Sequence, residues 1–253
     1  MNMFRLAVRQ WKYQIRKIDF WIMLFILPIF YASFFQAAKQ TNFKEFSEML
    51  NVITLSPTVM SISTIVFVTY ACLLFIVSDI PAVYQGVEYQ IIRMNREIWF
   101  MGQVWYLVLI NITYFGIAFL LQNICYAISG NPYQIVPTIL TPGDIVLWGI
   151  VFGLCCLLGC LMGMVCLVCN IFELHTGVGI ALCAAMIWIW EFTLGNEYDL
   201  GYFSPVGVLQ SYNSTTKIPV AGGYAYYVFA IILLLLIGSY RIRHHDIRTK
   251  AGA

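Results

Sequence analysis

The chain has 253 residues, of which 61% are apolar and only 10% charged, with a formal net charge of +2. Such a balance excludes an ordinary soluble domain, in which roughly a quarter of residues are charged. Six runs are nearly charge-free, at about 20–38, 57–78, 100–128, 145–172, 177–194 and 222–240. Each reaches or approaches the roughly 20 residues a helix needs to cross about 30 Å of hydrocarbon.

Before the first run, residues 3–18 place Phe4, Val8, Trp11, Ile15 and Ile18 at helical spacing, with Arg5, Arg9, Lys12 and Arg16 on the other flank. That pattern predicts an amphipathic helix lying in the membrane interface, its basic residues drawn to an anionic leaflet. The run 20–38 contains Pro28 and is longer than the apolar core of a secretory signal, so a retained first span is expected rather than a cleaved leader. A second span opens at Ser56-Pro57, a capping hydroxyl before a proline.

Next comes QGVEYQIIRMNREIWFMGQ, residues 85–103, too polar to cross and too helix-like for a plain turn. Tyr84, Val87, Ile91 and Met94 can share one face, leaving Glu88, Arg93, Arg96 and Glu97 toward water or protein. The segment 80–99 is therefore expected to be a surface helix presented to the cytosol, followed by the third span, 100–128.

The fourth span follows Thr141-Pro142-Gly143-Asp144 and carries Gly149, Gly153, Gly159 and Gly163, two small-residue pairs that let helices approach closely. Cys155, Cys156, Cys160, Cys166 and Cys169 in the same run read as small packing residues. Cys166-x-x-Cys169 with Glu173 and His175 lacks a second Cys pair, and no metal site is expected. In the fifth span Glu191 follows Trp188 and Trp190, which puts it near the outer interface; a solvated belt residue is preferred there to a position on a translocation path. The sixth span ends in a basic tail.

Barrel-like alternation is absent, so the fold expected is an all-α membrane protein, with residues 1–253 forming one transmembrane domain. Arg5, Arg9, Lys12, Arg16, Lys17, Arg93, Arg96, Arg241, Arg243, Arg248 and Lys250 fall on one side of six spans, and Lys39, Lys44 and Lys217 on the other. Eleven against three predicts a multi-pass protein of the cell membrane with both termini cytoplasmic. No phosphate-binding loop of the G-x-x-x-x-G-K-[ST] type and no catalytic constellation at membrane depth is present, so the chain reads as a non-enzyme.

In layout the chain resembles the membrane-spanning permease of bacterial type-2 ATP-binding cassette (ABC) transporters. The resemblance rests on the basic N-terminal helix, six spans with both ends inside, the cytoplasmic helix after span two, and YFSPVGVLQSY at 202–212 between the last two spans. It implies that Gln85, Glu88, Tyr89, Arg93, Arg96 and Glu97 form a coupling helix seated on ABC ATPase subunits. It also implies that Ser204-Pro205 open a re-entrant outer helix, making Ser204, Pro205 and Glu191 candidates for the substrate path or outer gate. Many relatives carry an acid-arginine-glutamate and a glycine-threonine pair in the coupling segment, whereas this chain has YQGVEYQIIRMNRE. The implied assembly pairs two permeases, the same or related, with two ATPases in the lipid bilayer. ATP and Mg are bound by the ATPases and no cofactor by this chain; no nucleic acid takes part. The implied activity is ATP-driven export of a hydrophobic or amphipathic substrate, whether peptide, lipid or drug. A non-transporting scaffold or sensor subunit, or a secondary transporter, are the alternatives.

Overall fold

A chain this apolar has little water to take up its backbone N–H and C=O groups, and helices satisfy them internally. The computed structural model describes residues 3–38, 62–78, 95–128, 142–172, 174–189, 205 and 220–244. Among these are seven helices and no strand: α1 (Met3–Arg16), α2 (Ile18–Ala38), α3 (Ile62–Val77), α4 (Arg96–Ile128), α5 (Pro142–Ile171), α6 (Thr176–Ile189) and α7 (Val220–His244). The all-α expectation holds for them. Three helices are long and apolar enough to cross a membrane, over Arg96–Gln122, Gly149–Ile171 and Ala221–His244. Ile18–Tyr31, Val68–Val77 and Thr176–Met186 add shorter apolar stretches in α2, α3 and α6.

Side-chain contacts fix the relative direction of the helices. Along α4, Met3 and Leu6 of α1 lie beside Gly102, Trp11 beside Thr113 and Pro28 of α2 beside Cys125, so α1 and α2 run the same way as α4. Helix α3 runs the opposite way, with Thr69 at Tyr114 and Leu73 at the Gly159–Asn111 crossing. So does α5, where Phe152 meets Phe119, Cys156 meets Asn111 and Gly163 meets Leu107. Helix α6 reverses against α5, with Gly179 at Cys166 and Cys183 at Met162. Helix α7 descends from Tyr224 beside Ile150 to Gly238 beside Phe100 and Arg243 at Glu97. Taking α1 and α2 as one rod with a break at Lys17, the direction alternates along the chain.

The glycines of α5 show how closely the rods approach. At Gly159 the side chains of Asn111, Leu73 and Phe115 occupy the space a Cβ would need; at Gly153 it is Tyr224, at Gly163 it is Leu107, and at Gly149 nothing lies nearby. Three of the four small positions therefore admit a neighbouring helix. The cysteines of α5 are free thiols, Cys155, Cys160, Cys166 and Cys169 buried in the core and Cys156 half-buried.

Two details go beyond the sequence pattern. The helix that contains the charge-free run from Phe100 starts at Arg96, because Asn95 caps it: its side-chain oxygen accepts a hydrogen bond from Glu97 N at 3.1 Å and its carbonyl one from Trp99 N at 3.0 Å. In α1 the packed face is Leu6, Ala7, Gln10 and Gln14, while Phe4 and Ile18 of the expected apolar stripe are exposed and Val8, Trp11 and Ile15 half-buried. The helix lies lengthwise on α4, and its buried side is the one that meets α4. At Gly102 the Leu6 side chain and the Met3 carbonyl stand where a Cβ would be, and Trp11 Nε1 donates to Thr113 Oγ1 at 2.8 Å. Amides are tolerated there because their stems are apolar, yet Gln10 Oε1 and Gln14 Oε1 are left without a partner.

Candidate functional site

The alternating rods create two poles. At one lie the start of α1, the end of α3, the start of α4 and the end of α7, which makes it the pole where the connection 79–94 leaves at Ser78 and returns at Asn95. Of the residues assigned to ATPase contact, Gln85, Glu88, Tyr89 and Arg93 lie outside the described residues. Arg96 and Glu97 form the first turn of α4. Glu97 suits that position, since a carboxylate there meets the positive end of the helix dipole.

Both flanks of the connection are tied to other helices. On the α3 side, Asn170 Nδ2 near the end of α5 donates to the Ser78 carbonyl at 2.9 Å. On the α4 side, Glu97 Oε1 pairs with Arg243 Nε of α7 at 2.7 Å, both side chains about half exposed. A pair this exposed is worth only about 0–1 kcal/mol, so it orients the helix ends more than it stabilises the bundle. Beside it Arg241 lies over the Phe172 ring, 5.2 Å from its centre. The pole is thus stitched from α3, α4, α5 and α7 by polar contacts, whereas the interior is apolar.

At the opposite pole, Glu191 and Ser204 lie outside the described residues, and Pro205 is half-buried. Its carbonyl accepts a hydrogen bond from the Tyr227 hydroxyl of α7. Tyr227 is fully buried, so Pro205 is held against the bundle rather than clear of it.

Between the poles the polar groups are few and enclosed. Asn111 of α4 is fully buried; its Nδ2 donates to the Leu107 carbonyl at 2.8 Å and its Oδ1 has no partner. Tyr114 donates to the Thr69 carbonyl at 2.7 Å, and Tyr31 Oη lies 3.4 Å from Thr69 Oγ1. Two residues of the weighed metal cluster have other partners, since Cys166 Sγ lies 3.9 Å from Cys183 Sγ of α6 and His175 Nδ1 accepts from Gly177 N at 3.1 Å, while Glu173 lies outside the described residues. Among the described residues no group of three or more His, Cys, Asp or Glu side chains is placed to hold a metal ion.

Sequence reasoning missed Asn170, Arg243, Asn111 and Tyr227. Asn170 and Arg243 carried a faint signal as polar residues at the end of an apolar run. Asn111 could be read only as a glycosylation-like triplet inside a span, and its partner Gly159 lies on another helix. Models of known protein families and curated proteins give no match to this chain.

Proposed function

We propose that the chain is the permease subunit of an ABC transporter, pairing with a second permease to form the path for ATP-driven export of a hydrophobic or amphipathic substrate. Six crossings, both termini cytoplasmic and a coupling helix within 80–99 belong to this reading, and the start of α1 lies at the cytoplasmic pole. ATP hydrolysis with Mg belongs to separate ATPase subunits, and this chain transmits its motion.

The observation that carries the proposal is the convergence at one pole. Alternating rods bring the start of α1, the end of α7 and the two flanks of the connection 79–94 together there, and those flanks are tied by Ser78–Asn170 on one side and Glu97–Arg243 on the other. A force applied to the connection reaches α5 and α7 through these contacts, not only its own helices. At the other pole, the seating of Pro205 on Tyr227 supports an outer segment folded against the bundle, as the reading requires.

Because Glu97 already has an intrachain partner, the informative variant leaves it intact. Glu88→Ala with Tyr89→Ala and Arg93→Ala should leave the helices inserted. In reconstituted vesicles it should lower either the ATPase retained on purification or the substrate moved per ATP hydrolysed. Single charge contacts at a surface are worth about 0–1 kcal/mol, which is why several are changed together. Parental retention and parental coupling in the triple variant would sink the assignment of this segment. Purification of the intact chain from its own membranes without any ATPase would sink the transporter reading and favour a scaffold or sensor.

A further inference from the structure

The lateral surface of the bundle carries a cleft of about 180 Å³ between α4, α5 and α7. Its floor is Leu107, Cys160 and Met164, each nearly inaccessible; its rim includes Val108, Val228 and Ile232, the last two 43% and 48% exposed. The lining is almost wholly apolar, and apolar cavities of this size stay dry and accept apolar ligands. Helices α4 and α7 are both apolar enough to cross a bilayer, so the medium at the open rim is hydrocarbon.

The polar end of the same seam is occupied by charge of both signs. Glu97 stands seven residues before Val104 on α4, and Arg243 eleven residues after Ile232 on α7, spacings that keep each on the face of its helix that lines the cleft. They lie roughly 10 and 16 Å along the axes from it, comparable with the separation of a phospholipid's phosphate from its upper acyl chain. The Arg243 and Glu97 side chains are 60% and 49% exposed, so both charges stay accessible to a headgroup as well as to each other.

We propose that this seam is a binding site for one glycerophospholipid with a primary-amine headgroup. An acyl chain fills the cleft, the phosphate meets Arg243 and the ammonium meets Glu97. Opposite charges held side by side match a zwitterion better than an anion, and a primary ammonium can donate hydrogen bonds to a carboxylate where a quaternary one cannot. The site requires only that α4 and α7 cross a bilayer, and it stands or falls independently of any ATPase.

The test uses the full chain in vesicles doped with a phospholipid carrying a photoactivatable diazirine at mid-chain, with ethanolamine, choline or glycerol headgroups compared. Labelling should reach the floor residues Leu107 and Met164, which annular lipid cannot touch, and exceed that at Leu158, buried away from the cleft. The ethanolamine lipid should label the floor about threefold more than the other two, a modest preference because the charges are partly exposed. Ile232→Trp, a change at the rim, should suppress floor labelling and leave labelling of the lipid-facing Phe229 unchanged. Glu97→Gln with Arg243→Gln should erase the headgroup preference. Floor labelling no higher than at Leu158, or unaffected by Ile232→Trp, overturns the site. Equal labelling by the three headgroups, or a preference that survives the double change, overturns the headgroup assignment.

Discussion

At the residue scale, the glycines of α5 differ in what surrounds them, and that predicts an order of effects. Alanine in place of helical glycine gains about 1 kcal/mol in helix propensity, whereas forcing a methyl group into a packed interior costs about 1–3 kcal/mol. At Gly149 nothing opposes the methyl, so Gly149→Ala should leave stability unchanged or raise it slightly. At Gly163 the obstacle is the end of Leu107, which borders the open cleft and can turn into it, so Gly163→Ala should be nearly neutral. At Gly159 the methyl meets Asn111, Leu73 and Phe115 together, so three side chains must give way at once; Gly159→Ala should lose up to about 2 kcal/mol net. Thermal unfolding of the purified chain in detergent ranks the three, and equal damage at Gly149 and Gly159 would contradict this packing. The run of small residues was legible in the sequence as a contact surface. Which glycine bears the load was not, since that depends on side chains from two other helices.

At the element scale, α1 buries in the bundle a side that its apolar stripe does not mark. The stripe through Phe4, Val8, Trp11 and Ile15, with its basic flank, predicts an interfacial helix turned toward lipid. The buried side is instead rotated toward Gln10 and Gln14, because Gly102 opens a notch in α4 into which Leu6 fits and Thr113 offers a partner to Trp11. A cysteine at Gln10 in a cysteine-free background should therefore resist thiol reagents. Adding Gly102→Val should push against Leu6 and the Met3 carbonyl and expose it, raising the labelling rate about tenfold for a seat weakened by about 1.4 kcal/mol. Fast labelling at Gln10 before Gly102 is changed would show that the helix is not seated there. The helix α4 begins before the charge-free window that opens at Phe100, because a helix tolerates Arg96 and Glu97 in a capped first turn.

At the scale of the whole molecule, the apolar runs were the most legible feature, and every one of them contains a described helix in the structure. For α4, α5 and α7 the helix is also long enough to cross a membrane. Sidedness rests on the asymmetry of basic residues and leads to a definite expectation. Single cysteines at 39–55, 129–143 and 195–221 should react with an impermeant reagent added outside intact cells. Those at positions within 1–17, 80–99 and 241–253 that are not packed into the bundle should react only after the membrane is opened. Outside labelling of a cysteine placed at Gln90 would invert or break the topology. The seams between rods were not legible, because Glu97 with Arg243 and Ser78 with Asn170 join residues far apart in the chain.

The seating of α1 also sets an order of biogenesis. Trp11 and its acceptor Thr113 are separated by 102 positions, so the surface on which α1 docks emerges from the ribosome long after α1 itself. At roughly 5–20 residues per second the interval is on the order of 5–20 s, far longer than a helix needs to form. Throughout that wait the Gln10 and Gln14 amides can stay hydrated, and the basic flank can hold the helix at an anionic surface. A fully apolar face would have been exposed to wrong partners for the same time. The two amide oxygens left without hydrogen bonds in the finished fold fit a helix that is made first and docked late.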